Sequence, residues 1–282
     1  MKIGSYIHDG TASYGVKTDD GIVDLGRRLG NQYPDLPTLL KAFALGEAAN
    51  VSQGLSADFG EEDVYFLPLM PAPVNIYCAG INYLDHIEET GRDKPDFPTL
   101  FLKTQQAMVG HGQNLVRPRV SNEFDFEGEC AVVIGKPGRY IALEDWQDYV
   151  AGYSILMDGS IRDFQRRAVD QGKNFYHSSS SGPWMVTLDE VPSDFSNMEL
   201  TTRLNGEVMQ SSDVGQLYFS IADLITYYSQ IFYFQPGDII STGTPGGVGS
   251  RRDPPVWMKP GDELEVEITG IGVLKNIITS EK

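Results

Sequence analysis

The chain has 282 residues, 41% of them hydrophobic and 22% charged, an ordinary balance for a globular protein with an ample core. Its formal charge of −17 argues against a nucleic-acid or anionic-membrane partner. No signal peptide and no apolar run near the roughly 18 residues of a membrane span is seen, so a soluble, unexported, cytoplasmic protein is expected. The two cysteines, Cys78 and Cys130, each adjoin an apolar run and read as buried thiols without metal or redox spacing.

Taken in order, residues 1–7, 13–18 and 21–25 read as short strands, with Asp19, Asp20 and Gly21 forming a turn. Between Leu36 and Ala49 the apolar residues Leu39, Leu40, Phe43 and Ala44 fall at helical spacing. The proline-bearing stretch 64–73 makes a plausible boundary, so residues 1–70 are expected as a small β-rich module and residues 71–282 as the main domain. A strand over 75–80 then leads to a helical turn at 85–90, which Gly91 ends. Further strands are expected over 98–103, 124–134, 149–157, 182–187 and 198–204, with Asn205-Gly206 as a hairpin signal. Ser220 to Asp223 reads as the capping box of an amphipathic helix carrying Leu224, Ile225, Tyr228 and Ile231. Residues 239–249 form a strand followed by a glycine- and proline-rich loop whose exposed N–H groups suit a carboxylate. Near the C-terminus Leu264, Val266 and Ile268 alternate with acids, the pattern of a half-exposed strand. Strands outnumber helices and do not alternate with them regularly, so the fold class is mainly β, with some helix.

Glu127 and Glu129 stand two residues apart on an extended segment, so both project from the face that also carries Ala131. Phe126, Cys130 and Val132 take the other face. Two such carboxylates can converge on one ion, and without a cation their burial is costly. A third acid, Asp158, follows the next apolar strand. Three carboxylates without a Cys/His cluster favour a hard divalent ion, Mg²⁺ or Mn²⁺, over zinc. An edge strand showing two solvated glutamates is the plainer alternative. His86 and Glu89 are three apart, so on a helix they share a face and form a candidate general-base pair. His177, in the serine-rich stretch near Lys173, is the competing base.

The ordered set of these stretches resembles the fumarylacetoacetate hydrolase superfamily, and within it the acylpyruvate and 2-oxo acid branch. The matching pieces are Asn82-Tyr83-x-x-His86-x-x-Glu89, Phe101-Leu102-Lys103, Phe126-Glu127-x-Glu129, Asp158-x-Ser160-x-Arg162-Asp163-x-Gln165 and Gly172-Lys173. They continue with Gly182-Pro183-Trp184 and the run from Gly237 through Thr244 to Gly249. The resemblance covers roughly residue 73 to the C-terminus. It implies a mixed β-sandwich roll and a homodimer or higher assembly. It implies Mg²⁺ or Mn²⁺ on Glu127, Glu129 and Asp158, a catalytic dyad of His86 and Glu89, and an active-site lysine at Lys173. Substrate contacts are implied for Tyr83, Gln165 and Thr244. Ile81, Gly159, Tyr176 and Ser180 depart from the family pattern and bear on substrate identity.

The expected activity is hydrolytic cleavage of a carbon–carbon bond in a small anionic 1,3-dicarbonyl acid. The metal would stabilise the enolate, His86 would activate water and Lys173 would sit beside the developing oxyanion. Decarboxylation of oxaloacetate, or isomerisation or hydration of a 2-oxo acid, would use the same ligands. A non-catalytic metal- or carboxylate-binding protein is the remaining alternative.

Overall fold

A computed structural model describes every residue of the chain except 72, 73, 92, 193 and 196. The glutamate-bearing segment supplies an interior strand of the larger of two main sheets. Gly128–Ile134 pairs antiparallel with Val150–Met157 on one side and with Ile239–Ser241 on the other. All seven of its residues are buried, as the unbroken apolar run Cys130–Ile134 requires of a strand covered on both faces. The edge-strand alternative therefore does not hold.

The alternation sorts the two faces. Cys130, Val132 and Ile134 share a core with Leu200, Leu264, Val266 and Leu274 of the smaller sheet. Ala131 and Val133 meet Ile3, Leu36, Leu39 and Leu40 on the other side. Each such aliphatic side chain, fully buried, contributes on the order of 1.5–3 kcal/mol. The glutamates lie at the end of this strand, where the packed layers hold their backbone in place.

The larger sheet runs in space from Gly21–Asp24 through Thr11–Thr18, Lys2–His8, Met185–Thr187, Val150–Met157, Gly128–Ile134, Ile239–Ser241 and Ile76–Gly80 to Thr99–Lys103. Most pairings are antiparallel, but Ile239–Ser241 runs parallel to Ile76–Gly80. The smaller sheet orders Glu207–Asp213, Glu199–Leu204, Glu263–Ile268, Gly272–Ser280 and Asn114–Arg117. The protein is mainly β with mixed sheets, as expected. Residues 1–70, expected as a small module, carry four strands of the larger sheet, with Tyr65–Phe66 pairing Lys2–His8, Lys2 opposite Val186 and Ile3 opposite Met185. Two residues of the expected boundary, 72 and 73, lie outside the described residues.

Three local expectations change. The single helix over 36–49 is two helices, Leu36–Lys41 and Leu45–Ser52, because Phe43 turns into the left-handed region at φ 57°. Phe43 is 64% exposed, so its helical spacing did not mark a core position. The glutamate strand is interrupted: Phe124–Asp125 pairs with Ser160–Ile161, and Glu127 falls between that bridge and Gly128–Ile134. Ser179–Ser181, in the serine-rich stretch near Lys173 where no strand is expected, is a buried strand between Val150–Met157 and Met108–Val109. The two outer hydroxyls satisfy neighbouring backbone, since Ser179 Oγ accepts from the Gly159 N–H at 3.0 Å and Ser181 Oγ from the Leu69 N–H at 3.2 Å.

Candidate active site

The site forms where the loops at the strand ends meet. Glu127, Glu129 and Asp158 are 5%, 1% and 0% exposed, and each offers a carboxylate oxygen within 4.8 Å of the other two. The backbone sets this meeting, because the Asp158 N–H donates to the carbonyl of Glu127 at 2.8 Å. Such burial of like charges is tolerated only with compensation. Lys173 provides it by donating to Asp158 Oδ2 at 2.6 Å and to Glu127. Lys103, also buried, lies 2.6 Å from Asp158 Oδ1 and donates to Ser179 Oγ at 2.8 Å. Arg162 lies 2.8 Å from Glu127 Oε1 and donates through Nε to Asp125 Oδ2 at 2.7 Å.

These contacts divide the acids. Burial alone would favour protonated Glu127, but the charges of Lys173 and Arg162 outweigh it and hold the carboxyl well below the usual range. Burial likewise opposes charge on Lys173, yet Asp158 and Glu127 keep it protonated. Among the described residues no lysine or arginine pairs with Glu129, which accepts from Ser241 Oγ and, at 3.0 Å, from the Gly243 N–H. Its burial, reinforced by Asp158 and Glu127, pushes the carboxyl up to about 8. Four acids, Asp125, Glu127, Glu129 and Asp158, thus meet three bases, Lys103, Arg162 and Lys173. An all-oxygen donor set with one carboxylate short of positive charge fits a hard divalent ion.

His86 stands on the helix Leu84–Thr90, which Gly91 ends at φ 65°. Its Nδ1 is 2.9 Å from Glu89 Oε2, and the other oxygen of Glu89 accepts from the Gly247 N–H at 2.9 Å. A carboxylate only accepts, so Nδ1 carries the hydrogen and Nε2 keeps a lone pair. A cavity of about 590 Å³ brings His86, Glu127, Glu129, Lys173, Gln165 and Thr244 to one wall system, with Phe101 and Trp257 among its apolar lining. Asp158 and Glu89 act from behind these residues, touching Lys173 and His86.

Residues 75–279 match the fumarylacetoacetate (FAA) hydrolase C-terminal family. The chain belongs to the fumarylacetoacetate hydrolase family. It is 40% identical over 267 residues to the mitochondrial oxaloacetate tautomerase FAHD2A of Bos taurus, covering 91% of this chain and 83% of that one. Among solved structures, a putative HpcE protein from Mycobacterium smegmatis superposes with a TM-score of 0.87 at 33% identity over the whole of both chains. Maleylpyruvate hydrolase from Sphingobium sp. SYK-6, solved with manganese(II) and pyruvate, superposes with a TM-score of 0.84 at 28% identity, again over both full chains.

In this fumarylacetoacetate hydrolase family member the other expected residues fall unevenly. Thr244 Oγ1 already donates to the Gly128 carbonyl at 2.9 Å and accepts from Gln210 Nε2 at 2.7 Å. Gln165 lines the cavity, its Oε1 accepts from Arg162 Nη1 at 2.9 Å, and its amide NH₂ remains a donor. Tyr83 is fully buried and does not border the cavity. His177 does not border it either; its ring stacks on the exposed Tyr176 with centroids 3.7 Å apart. Of the departures from family pattern, Ile81 lines the cavity at φ 54°, an unfavourable backbone for a β-branched residue. Gly159 has no room for a larger group, since a Cβ there would lie 1.7 Å from the Ser178 carbonyl oxygen.

Sequence reading did not single out Lys103, Arg162, Asp125 or Ser241, which orient and neutralise the acids. Lys103 and Arg162 stand within the quoted motifs, and a charged residue abutting an apolar strand was the available signal. Ser241 likewise stands within the run from Gly237 to Gly249, and Asp125 gave no signal.

Proposed function

We propose that this protein is a metal-dependent enzyme that interconverts the keto and enol forms of a 2-oxo dicarboxylic acid such as oxaloacetate. The observation that carries the reading is His86, held by Glu89, bordering the same cavity as Glu127, Glu129 and Lys173. The 40% identity to an oxaloacetate tautomerase over 83% of that protein supports this choice of reaction.

Glu127, Glu129 and Asp158 would hold Mg²⁺ or Mn²⁺, which supplies Lewis-acid charge for the 2-oxo acid end of the substrate. Manganese in the maleylpyruvate hydrolase neighbour supports that assignment. His86 Nε2 takes a proton from the carbon beside the ketone, while Glu89 stabilises the imidazolium through Nδ1. The same proton then returns to the substrate oxygen, giving the enol. Lys173 adds positive charge where the oxyanion develops, and the Gln165 amide is placed to donate to a substrate carboxylate. Ser241 and the Gly243 N–H keep Glu129 aimed at the shared centre.

Relaxation of enol-oxaloacetate to its keto form, followed by loss of enol absorbance with Mg²⁺ or Mn²⁺ present, tests the reading. Acceleration by the wild type and its loss in His86→Ala are expected; no acceleration by the wild type would sink it.

Carbon–carbon hydrolysis, placed first by the sequence, stays as the second reading. The whole-chain likeness to maleylpyruvate hydrolase and a cavity of about 590 Å³, roomy for a four-carbon acid, favour it. Release of pyruvate from an acylpyruvate distinguishes it from tautomerisation, and release of CO₂ from oxaloacetate reports decarboxylation. A homodimer belongs to the same proposal and is checked by light scattering. No helix among the described residues is long and apolar enough to cross a membrane. The names of the tautomerase relatives place those proteins in mitochondria, so they lend no support to the expected cytoplasmic location.

A further inference from the structure

Among the described residues, four cationic side chains border the cavity: Arg162, Arg166, Lys173 and Arg251. Three are committed. Lys173 serves Glu127 and Asp158, and Arg162 serves Asp125 and Glu127. Arg166 makes a two-pronged pair with Glu123 at 2.8 and 3.0 Å, which cancels its charge at the cavity wall. Among the described residues, the Arg251 guanidinium has no hydrogen bond or ion pair, although this protein carries a net charge of −17.

The backbone under Arg251 is fixed, and it is fixed to the acid site. Arg251 ends the turn Gly249–Arg251, whose first two N–H groups both donate to the buried carboxylate of Asp125, at 2.8 and 3.0 Å. The same carboxylate accepts from Arg162, which holds Glu127. On the other side Arg252 anchors the turn by donating to the carbonyls of Gly247 and Met209, at 3.2 and 2.6 Å. One carboxylate therefore ties the position of Arg251 to that of the metal-site glutamate. Trp257 and Pro255, from the same segment, give the intervening wall an apolar surface.

We infer that Arg251 receives the distal carboxylate of the substrate, so that the site selects 2-oxo dicarboxylic acids over 2-oxo monocarboxylic acids. The inference rests on the function proposed above only for where the 2-oxo end binds. A guanidinium pairs a carboxylate through two parallel hydrogen bonds, and such charge-assisted contacts discriminate strongly against a ligand that lacks the partner.

The test is calorimetric titration of the Mn²⁺-loaded protein with three acids. Oxalate has only the chelating end. Oxaloacetate has both ends, and 2-oxobutyrate carries a methyl where oxaloacetate has its distal carboxylate. Wild-type protein is expected to bind oxaloacetate roughly 10- to 100-fold more tightly than 2-oxobutyrate. Arg251→Gln should close that gap and leave oxalate binding unchanged. Arg251→Lys should restore part of it, as a point charge without the two-pronged geometry. A gap that survives Arg251→Gln, no gap in the wild type, or equal loss of all three acids in Arg251→Gln each overturns the inference. Because the readout is equilibrium binding, a wild type without tautomerase activity overturns the proposed reaction and leaves this result standing.

Discussion

The ammonium of Lys173 lies 2.6 Å from Oδ2 of Asp158 while also donating to Glu127, so two of the three converging acids share one buried cation. Removing that cation leaves buried carboxylates uncompensated, a defect that typically costs about 3–5 kcal/mol. Lys173→Met should lose stability of that order without metal and regain most of it with Mn²⁺, which brings its own positive charge to the same oxygens. Denaturant unfolding with and without Mn²⁺ checks this. An equal loss under both conditions would mean that lysine and metal do not serve the same carboxylates.

Glu127→Ala and Asp158→Ala should each abolish divalent-ion binding and turnover, because two carboxylates hold Mg²⁺ poorly. Wild-type affinity in either variant removes the ligand assignment. In the wild type the affinity should depend on pH through Glu129. Its carboxyl, pushed up to about 8, is protonated in the metal-free protein below that pH and must release the proton to bind metal. Affinity therefore falls by about tenfold per pH unit on acidification below about 8 and levels off above it. Titrations across roughly pH 6 to 9 would show a flat profile if Glu129 were not a ligand.

His86→Ala should leave the metal bound and cut turnover by roughly 10²- to 10⁴-fold, the usual worth of a positioned base. Glu89→Gln should cost less, since the imidazole remains but loses the negative charge 2.9 Å from Nδ1. His177→Ala should be neutral, because that ring does not border the cavity. The check is kcat for all three with metal content measured in each. A dead His177→Ala beside an active His86→Ala would transfer the role.

Gly159→Ala should destabilise the fold by about 1–3 kcal/mol or more, as overpacking of a tight interior does. The added methyl would meet the Ser178 carbonyl oxygen, and the next residue, Ser179, accepts from the Gly159 N–H directly after Asp158. Unfolding midpoints together with Mn²⁺ affinity measure both effects. A variant of unchanged stability would show that the backbone has room to move there.

The parts legible in the sequence were those set by local periodicity. Alternation placed Glu127 and Glu129 on one face of an extended segment and Cys130 on the other, and the structure sorts Cys130 and Ala131 into separate cores accordingly. Helical spacing joined His86 to Glu89, and the turn signals at Asn205-Gly206 and Ser220 formed as read, with positive φ at both hairpin residues and a capping box on the helix. Asn82 to Glu89 and the other motifs identified the family before any geometry was known. What only the tertiary structure decided was which charges share one buried space. Lys103, Arg162 and Lys173 are brought to acids far from them in the chain by strand pairing and loop closure. Alternation tells which face a side chain takes, but not whether that face meets water or three cations. Phe43 shows the same limit, since its spacing fitted a helix that a left-handed residue interrupts. Periodicity acts over neighbouring residues, whereas the compensation of buried charge depends on every group within a few ångströms, whatever its place in the sequence.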